Sequence, residues 1–438
     1  MNRYESYKDV DLPWLKEVPS HWEVSKIKRI SYYDTGNSIK DSEKDNYTIK
    51  NQTRKYISTS DINKEFSKIN HKSGLFIPKT QKAFKIAKKN STLVCIEGGS
   101  GGEKVALIEE DVCYVNKLCS FYTEKMNSKY FFYYFKSNLF KSLYFSHVNG
   151  DRNGVSKQNL GLFVITIPGI QEQTQIANYL DWKINEIDKL IAKEKEKIRE
   201  LEKLTDYKIS EMIWNNKNFK LERIKNLFTL RNERHVEDKE VDLISLYTKL
   251  GVIRNEEVEY KTGNKNTTIE GYKKVYVNDI VVNIMLCWMG AIGVSKYDGV
   301  TSPAYDIYKP NLKKVNPHFF HYLFRTQKFK DILYKNGKGI VLMKWRVYSD
   351  KFRNISVPLF SLIEQNNILK RIENLLKDID IVKVRIIAII EDLEKLKQSL
   401  ISEVVTGQID VRDVVIPEYE KFTLEIDEEL EKEVEENE

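Results

Sequence analysis

The sequence contains few of the residues and segments that would place a protein in a membrane or outside a cell. Only 4 of its 438 residues are cysteines, and no two of them form a CxxC pair. We expect them to stay reduced in a cytosol. They are Cys95, Cys113, Cys119 and Cys287. The longest uncharged apolar run, Ile280 to Val294, has 15 residues and is interrupted by Asn283, so it is shorter than the ~18 to 20 residues that cross a bilayer. The first residues include no apolar segment of the secretory type. The sequence therefore predicts a cytoplasmic protein without a membrane span.

Motifs of catalysis and cofactor binding are also missing. The stretch nearest to a phosphate-binding GxxxxGK[ST] loop, residues 98–104, has Glu103 in the position of the lysine. No GxGxxG follows a strand, and no Asn-Pro-Pro-aromatic run of the amino-methyltransferase type occurs. The six histidines are scattered, and His318 and His321 have no third metal ligand nearby in the sequence. The sequence predicts no catalytic centre, no metal and no cofactor.

Positive charge is in excess over most of the chain. The whole sequence has 71 basic and 64 acidic residues, but from Val411 onward there are 3 basic and 12 acidic residues. Residues 1–410 therefore carry 68 minus 52, or +16. Together with 25 Tyr and 19 Phe, this surplus favours a polyanion such as nucleic acid as the partner. A codon bias toward lysine would produce the same charge, and composition alone does not separate the two explanations.

The chain contains an internal duplication. Residues 171–213 and 363–405 align without a gap at an offset of 192, and 13 of 43 positions are identical. Upstream, residues 91–96 correspond to 278–283, and residues 130–141 correspond to 319–330. We infer two units, each a mixed domain of roughly 150 residues followed by a long helix. The interiors of the two domains diverge, which predicts one scaffold carrying two different surfaces.

Apolar residues recur along both repeated helices at alternating steps of four and three. In the first helix they are Leu180, Ile184, Ile187, Ile191, Ile198 and Leu201, and in the second Ile368, Ile372, Leu375, Ile379, Val382, Ile386, Ile389, Leu393, Leu396 and Leu400. This spacing is typical of a coiled coil, and 43 residues would reach roughly 65 Å. Thr406-Gly407 predicts the end of the second helix. We expect an antiparallel pair within the chain, with the two domains at opposite ends of a rod. A coiled coil between two chains is the alternative.

The predicted fold class is therefore α+β, with two homologous mixed α/β domains separated by two long helices that form an antiparallel coiled coil. A Gly-rich loop is predicted between two strands at residues 98–102, and Trp288 to Gly293 occupies the same place in the second domain. Glycine permits positive φ or close approach of a ligand to the backbone. Such loops suit a DNA groove, with Ser100, Lys104 and Trp288 as candidate contacts. Tight hairpins without a ligand are the alternative.

Basic residues also lie just before the last strand of each domain. They are Arg152 and Lys157, with Asn153 beside them, in the first domain, and Lys338, Lys344 and Arg346 in the second. Lysine and arginine neutralise phosphates or pair with guanine edges, so we predict that these residues contact DNA. A solvated surface without a ligand is the alternative.

Several motifs together resemble the DNA-specificity subunit of type I restriction-modification systems. They are LPWLKEVPSHWEV at 12–24, NGVSKQNL at 153–160 before Ile167-Pro168, and the Glu172-Gln173 and Glu364-Gln365 pairs that begin the helices. The resemblance runs from about residue 12 to residue 410. It implies two target-recognition domains, each reading one half of an asymmetric bipartite target in double-stranded DNA. It also implies helices that dock two methyltransferase subunits, through which restriction (translocase and nuclease) subunits bind, and a specificity chain that is not itself an enzyme.

These observations divide the chain into five segments. They are a first target-recognition domain at 1–168, a central helix at 169–217, a second target-recognition domain at 218–357, a C-terminal helix at 358–410 and an acidic tail at 411–438. We expect the helix pair to set the gap between the two half-sites. Two other functions remain open at this point, namely a coiled-coil scaffold without sequence-specific DNA reading and the recognition module of a modification-only methyltransferase.

Overall fold

The computed structural model describes residues 2–12, 14–148, 154–236, 241–248, 251–254, 269–339 and 345–422. These residues form two compact units. The first unit contains the described chain up to Glu194 and from Ala388 onward, and the second contains Lys195–Ile387. The division falls inside both long helices, so each unit includes a part of each. In the part of the chain that is described, no helix has the length and apolarity needed to cross a membrane.

The first unit is a mixed domain with the beginning of a long helix. Its strands are β1 (Tyr7–Leu12), β2 (Leu15–Pro19), β3 (Glu23–Lys26), β4 (Tyr32–Thr35), β5 (Thr53–Ile57), β6 (Phe76–Pro78), β7 (Ile86–Ala87), β8 (Thr92–Cys95), β9 (Val105–Leu107), β10 (Val112–Tyr114), β11 (Leu118–Tyr122) and β12 (Val164–Ile167). Its helices are α1 (Ile27–Ile30), α2 (Ser128–Lys136), α3 (Asn138–Ser146), α4 (Lys157–Leu160) and α5 (Ile170–Trp214), and a 3-10 helix covers Asp41–Tyr47. The two larger sheets have the strand orders β6-β5-β10-β7 and β4-β11-β8-β9.

The second unit repeats the outline of the first from β3 onward: a strand and a short helix, a run of strands, three helices and a last strand before the long helix. Its strands are β13 (Lys220–Arg223), β14 (Phe228–Arg231), β15 (Ile244–Tyr247), β16 (Gly251–Arg254), β17 (Lys273–Val275), β18 (Ile280–Asn283), β19 (Ile292–Val294), β20 (Gly299–Thr301), β21 (Tyr305–Pro310) and β22 (Ser356–Leu359). Its helices are α6 (Pro317–Arg325), α7 (Gln327–Asn336), α8 (Ser349–Phe352) and α9 (Leu362–Val405), and 3-10 helices cover Ile224–Asn226 and Cys287–Met289.

Sheet topology confirms the duplication. The sheet β14-β21-β18-β19 repeats the order β4-β11-β8-β9, and the antiparallel pair β13-β22 repeats β3-β12. In the first unit β10 pairs parallel with β5, and in the second unit Val300 of β20 forms a parallel bridge with Leu243. The strands predicted at residues 91–96 and 278–283 are the equivalent strands β8 and β18. The two domains therefore share one scaffold, as the sequence repeat predicted.

Aromatic side chains fill the core between the helices and the sheet of each domain. In the first unit Phe121 on β11 lies 4.5 Å from Phe135 of α2, whose ring lies 5.0 Å from that of Phe140 of α3. In the second unit Phe324 of α6 lies 4.8 Å from Phe329 of α7. Each such side chain, when fully buried, contributes about 1.5 to 3 kcal/mol. The aromatic repeat YFFYYF and FFHYLF thus encodes the same core twice.

A buried glutamine ties the start of each long helix to its domain. In the first unit the Gln173 side chain accepts a 2.8 Å hydrogen bond from the Asn127 amide and donates one of 2.8 Å to the carbonyl of Pro168. Gln365 does the same in the second unit, with the amide of Asn316 at 2.7 Å and the carbonyl of Phe360 at 2.9 Å. Both asparagines cap the following helix. The repeated Glu-Gln pairs therefore have a structural role, because their glutamines fix the helix to the domain.

The two long helices run antiparallel where they meet within each unit. In the first unit Gln175 donates to the carbonyl of Val411, just past the end of α9, while Asp188 lies 2.5 Å from Lys397. In the second unit Glu202 lies 2.7 Å from Lys383, and Glu364 accepts from Asn216. The residue number on α9 falls as that on α5 rises, so the predicted antiparallel coiled-coil pairing is confirmed.

The predicted row of α9 is buried at Ile368, Ile372, Ile386 and Leu400 but exposed at three other positions. In the second unit Val382 is exposed while Lys383 is half-buried, and in the first unit Ile389 and Leu396 are exposed while Lys397 is buried. Assigning Val382, Ile389 and Leu396 to the seam was wrong. Lysines that pair with acidic residues of α5 lie in the contact face instead. Val382, Ile389 and Leu396 are thereby left on the outside of α9. The predicted row of α5 is buried at Leu180, Ile184, Ile187 and Ile191.

The predicted end of the second helix is confirmed. Helix α9 ends at Val405, and Gly407 has φ 75°, a conformation that favours glycine. A side-chain carbon at this position would overlap the ring of Pro19, and the Gly407 carbonyl accepts a 2.9 Å hydrogen bond from the hydroxyl of Tyr7. The glycine therefore permits both the turn and the close contact with the first strands.

Candidate nucleic-acid interface

The Gly-rich loop of the first domain connects β8 to β9 in an antiparallel hairpin, as predicted. Gly98 and Gly102 have φ 89° and 74°, and a side chain on Gly101 or Gly102 would overlap Tyr144. Tyr144 in turn donates to the carbonyl of Ile96 at the end of β8. The glycines at 101 and 102 are therefore needed for packing, whereas Gly98 and Gly99 face open space.

Ser100 and Lys104 are the two predicted DNA contacts in this loop. The Ser100 side chain is half-buried, and its carbonyl accepts from the amides of Glu103 and Lys104. The Lys104 ammonium group donates a 2.8 Å hydrogen bond to the carbonyl of Thr59. This lysine is consequently engaged within the fold.

The segment that precedes β12 lies beside the same loop. The Val155 amide donates to the carbonyl of Ile96, and Ser156 caps α4. Lys157, the first residue of that helix, lies 2.7 Å from one oxygen of Asp34, and Lys85 lies 2.7 Å from the other. Burial opposes the ionisation of Asp34, but hydrogen bonds from the two ammonium groups hold the pKa of Asp34 at about 2. Lys157 is thus largely neutralised by a partner. Arg152 and Asn153 lie outside the described residues.

The corresponding loop of the second domain connects β18 to β19 and carries Trp288 in a 3-10 helix. The indole N–H of Trp288 donates to the carbonyl of Met285, and its ring lies 5.5 Å from that of Tyr334. Tyr334 stacks on Trp345, with the ring centroids 5.0 Å apart. A side chain on Gly337 would overlap the Trp345 ring. Three aromatic rings therefore form a continuous row, which we call the aromatic row.

The structure brings two of the predicted basic residues of the second domain together. Lys338 and Arg346 form an antiparallel backbone bridge, with N–H to O distances of 2.9 and 3.0 Å. Both side chains are exposed, and Trp345 of the aromatic row lies next to Arg346 in the chain. Lys344 lies outside the described residues. Two cations beside stacked aromatic rings form a surface that suits nucleic acid.

Sequence reasoning missed Tyr334 and Trp345. Trp345 lies between Lys344 and Arg346 in the sequence, and a tryptophan between two basic residues was a signal for Trp345 alone. Tyr334 carries no such signal, because its place in the row depends on the return of the chain from residue 338 to residue 346.

Sequence reasoning also missed a lysine-rich stretch in the first domain. Residues 38–90 contain 12 lysines, Arg54 and 5 acidic residues, a net of +8, and all 12 lysines are exposed. Several have acidic partners, such as Lys55 with Glu110. Lys50 and Lys88 lie over the rings of Phe76 and Tyr122. We call residues 38–90 the lysine-rich stretch. It is a surface on which phosphates would be attracted without base specificity.

His321 lies against strand β19, and the four cysteines are buried. Burial, followed by the nearby charge of Arg325, lowers the pKa of His321 to about 3, and its ring lies 3.3 Å from the amide of Val294. All four cysteines are buried and form no disulfide. Among the described residues, no three metal-ligating side chains come together.

Most of the first unit matches a known protein family. Residues 19–203 match the family model described as the type I restriction modification DNA specificity domain. The resemblance predicted from the sequence is therefore confirmed for this segment. The matched segment contains the sheet β4-β11-β8-β9 that recurs in the second unit. A comparison with curated proteins gave no match.

One solved structure shares the fold across most of the chain, and two others match with lower scores. The first comes from a study of complex assembly and conformational transition of the type I R-M system, with 10% identity and a TM-score of 0.61, and it covers 90% of this chain and 99% of its own. The HsdS subunit from Thermoanaerobacter tengcongensis has 12% identity and a TM-score of 0.45, with coverage of 90% and 98%. The type I S subunit from M. genitalium has 13% identity and a TM-score of 0.34, also with coverage of 90% and 98%.

Proposed function

We propose that this chain is the DNA-specificity subunit of a type I restriction-modification complex that acts in the cytoplasm. The observation that carries the proposal is that the sheet of the family-matched segment recurs, with the same strand order, in the second unit. Each unit then supplies one target-recognition domain.

The two domains are proposed to read different halves of an asymmetric, bipartite target. Their scaffolds match, but the β8-β9 loop packs on Tyr144, whereas the β18-β19 loop carries Trp288 and the aromatic row. Base choice depends on the side chains presented to the groove, so different loops imply different half-sites.

Among the residues predicted from sequence, Lys338 and Arg346 are proposed as the DNA contacts of the second domain, because both are exposed. In the first domain the lysine-rich stretch is proposed to take that role ahead of Lys104 and Lys157, because all 12 of its lysines are exposed whereas Lys104 and Lys157 are half-buried and engaged within the fold. Alanine at Lys338 and Arg346 should weaken binding and reduce the salt slope by about one for each phosphate that is no longer neutralised. Lys313→Ala, an exposed lysine in the turn after β21, is the matched control. Unchanged affinity and slope for the double variant would remove these two residues from the interface.

Methyltransferase subunits are proposed to dock on exposed apolar residues of α9. In the second unit the helix exposes Ile381, Val384 and Ile387 at 53%, 66% and 47%. A cluster of exposed apolar side chains on one helix is typical of a protein interface. Restriction subunits would bind through the docked methyltransferase. Lysine at Ile381 and Val384 should abolish co-purification with the methyltransferase, while Leu312→Lys, an equally exposed loop residue, should not. Retained co-purification of the double variant would place the docking surface elsewhere.

The chain itself is proposed to be non-catalytic. Purified chain with a labelled methyl donor and DNA should show no transfer, and addition of the methyltransferase subunits should give transfer at one bipartite motif. Transfer by the chain alone would contradict the proposal and favour a methyltransferase with its own recognition module. A chain that assembles with the methyltransferase subunits but gives methylation without any preference for a DNA sequence would favour a coiled-coil scaffold.

A further inference from the structure

The chain beyond α9 lies along α5 as an extended strap, residues 411–422. The Gln175 side chain donates hydrogen bonds of 2.9 and 2.8 Å to the carbonyls of Val411 and Val414. Ten residues further along α5, the Asn185 side chain donates to the carbonyl of Glu420 and accepts a 2.6 Å hydrogen bond from the amide of Phe422. The strap therefore runs in the same direction as α5 and is fixed at both ends.

The strap ends beside the lysine-rich stretch. The ring of Phe422 lies 6.4 Å from that of Phe66, and the Lys68 ammonium group lies 3.5 Å from the Phe422 carbonyl oxygen. Phe66 belongs to a turn closed by a 2.9 Å hydrogen bond from the amide of Asn63 to the carbonyl of Lys68. Lys64 and Lys68 on this turn are exposed. The last described residue is thus held next to a positively charged surface.

The sequence that follows has the opposite charge. Residues 423–438 contain 9 acidic residues and 1 lysine, a net of −8, against a net of +8 for residues 38–90. Sixteen residues span at most roughly 55 Å when extended, so the segment can reach across the face of a domain. Attachment at Phe422 also gives the segment a high effective concentration at that face, in the millimolar range for a short tether.

We propose that the acidic segment 423–438 binds the lysine-rich stretch of the same chain and competes there with the DNA backbone. The DNA part of this inference rests on the proposed function. Carboxylates would take the place of phosphates on the same ammonium groups, so DNA that offers phosphate contacts alone would be bound less well. DNA with base contacts as well would displace the segment.

Two measurements test the proposal. The first uses the full chain and a chain ending at Phe422, with fluorescence anisotropy of a labelled duplex of random sequence across a salt series. If the tethered segment is near 1 mM and binds with a Kd near 0.1 mM, as is usual for non-specific phosphate contacts, its removal should raise duplex affinity about tenfold. A full chain with its nine acidic residues between 425 and 438 changed to amides should behave like the shortened chain. Unchanged affinity in both would overturn the proposal.

The second measurement does not depend on DNA. A labelled peptide of residues 423–438 should bind the shortened chain with an affinity that falls as salt rises. Changing Lys64, Lys68 and Lys72 to Gln should weaken that binding several-fold. The control changes Lys313, Lys335 and Lys351 to Gln. It removes the same charge from exposed positions in the second unit and should leave peptide binding unchanged. Absence of peptide binding at low salt would overturn the inference. Peptide binding by a chain that binds no duplex would instead support the tail contact and contradict the proposed function.

Discussion

Asp34 is the residue that most directly limits the positive charge of the first domain. It lies between Lys157 and Lys85, and hydrogen bonds from both ammonium groups keep it ionised well below neutral pH despite partial burial. Because one carboxylate neutralises part of the charge of two lysines, the strength of phosphate attraction near α4 depends on this side chain.

We expect Asp34→Asn to increase the affinity for duplex DNA of any sequence. Asparagine retains the side-chain oxygen that accepts from the amide of Thr35, so the local turn should persist. Two lysines released from the carboxylate should make the slope of log affinity against log salt steeper by at most about two. Anisotropy titrations between low and moderate salt measure both quantities. Glu211→Gln, which removes the carboxylate paired with Lys208 in the second unit, is the control. An unchanged slope would mean that Lys157 and Lys85 do not meet phosphate.

The buried side chains of Gln173 and Gln365 should contribute to the stability of their domains. Each is buried, and replacement by leucine leaves an amide N–H and a carbonyl oxygen without partners. We expect a loss of about 1 to 3 kcal/mol in the free energy of unfolding for either variant. Urea unfolding followed by circular dichroism measures it. Gln171→Leu, on the exposed side of the same helix, should differ little from the unchanged chain. Equal effects of the variants at 171 and 173 would show that the buried hydrogen bonds contribute nothing.

At the scale of elements, the helix pair depends on charged as well as apolar contacts. Lys397 and Asp188 form a nearly buried pair, and the same ammonium group donates to the carbonyl of Glu65. Such a pair contributes little net stability when formed, but loss of one partner leaves a buried charge.

We expect Lys397→Met or Asp188→Leu alone to destabilise the first unit by up to about 3 kcal/mol, and the double variant to lose less than the sum of the two. Thermal or urea unfolding of the three variants gives the coupling free energy. Lys395→Met, which breaks an exposed pair with Asp392 on the same helix, should change stability by less than about 0.5 kcal/mol. Strict additivity of the two single changes would contradict a role for the pair in joining the helices.

The sequence predicted the long helices, their antiparallel pairing and the end of α9 at Gly407, because heptad spacing and a C-terminal glycine are local signals. It did not predict which members of the apolar row of α9 face α5. The predicted row includes Ile386 and Leu400, which are buried, and also Ile389 and Leu396, which are exposed. Lysines such as Lys397 take their place in the contact face because of acidic partners such as Asp188, which lie about 200 residues away in the sequence. Similarly, the sequence did not show that Lys104 and Lys157 are engaged within the fold, because their partners, Thr59 and Asp34, lie far from them in the sequence.

For the molecule as a whole, the duplicated scaffold predicts independent reading by its two domains. Replacing residues 1–168 with the corresponding domain of a type I specificity subunit should change one half of the methylated motif and leave the other half unchanged. The reason is that, under the proposed function, base contacts would come from loops carried by each domain, while the shared scaffold is retained. Methylation by the assembled complex, mapped by sequencing across a genome, measures this. The matched exchange of residues 218–357 should alter the opposite half. A change in both halves after a single exchange would contradict independence.

Because the first unit contains residues from both ends of the described chain, the order of synthesis on the ribosome determines when it can finish folding. Its core includes Val404 and Val405, and the Val405 carbonyl accepts from the hydroxyls of Thr166 and Tyr130 at 2.8 and 3.2 Å. More than 230 residues separate these partners in the sequence, whereas the described residues of the second unit form one segment, Lys195–Ile387. At about 5 to 20 residues per second, the N-terminal domain waits roughly 12 to 50 seconds for the segment that completes it. The half of the protein that is translated first is therefore the half that is finished last, and nascent chains stalled before Val404 should resist protease in the second unit alone.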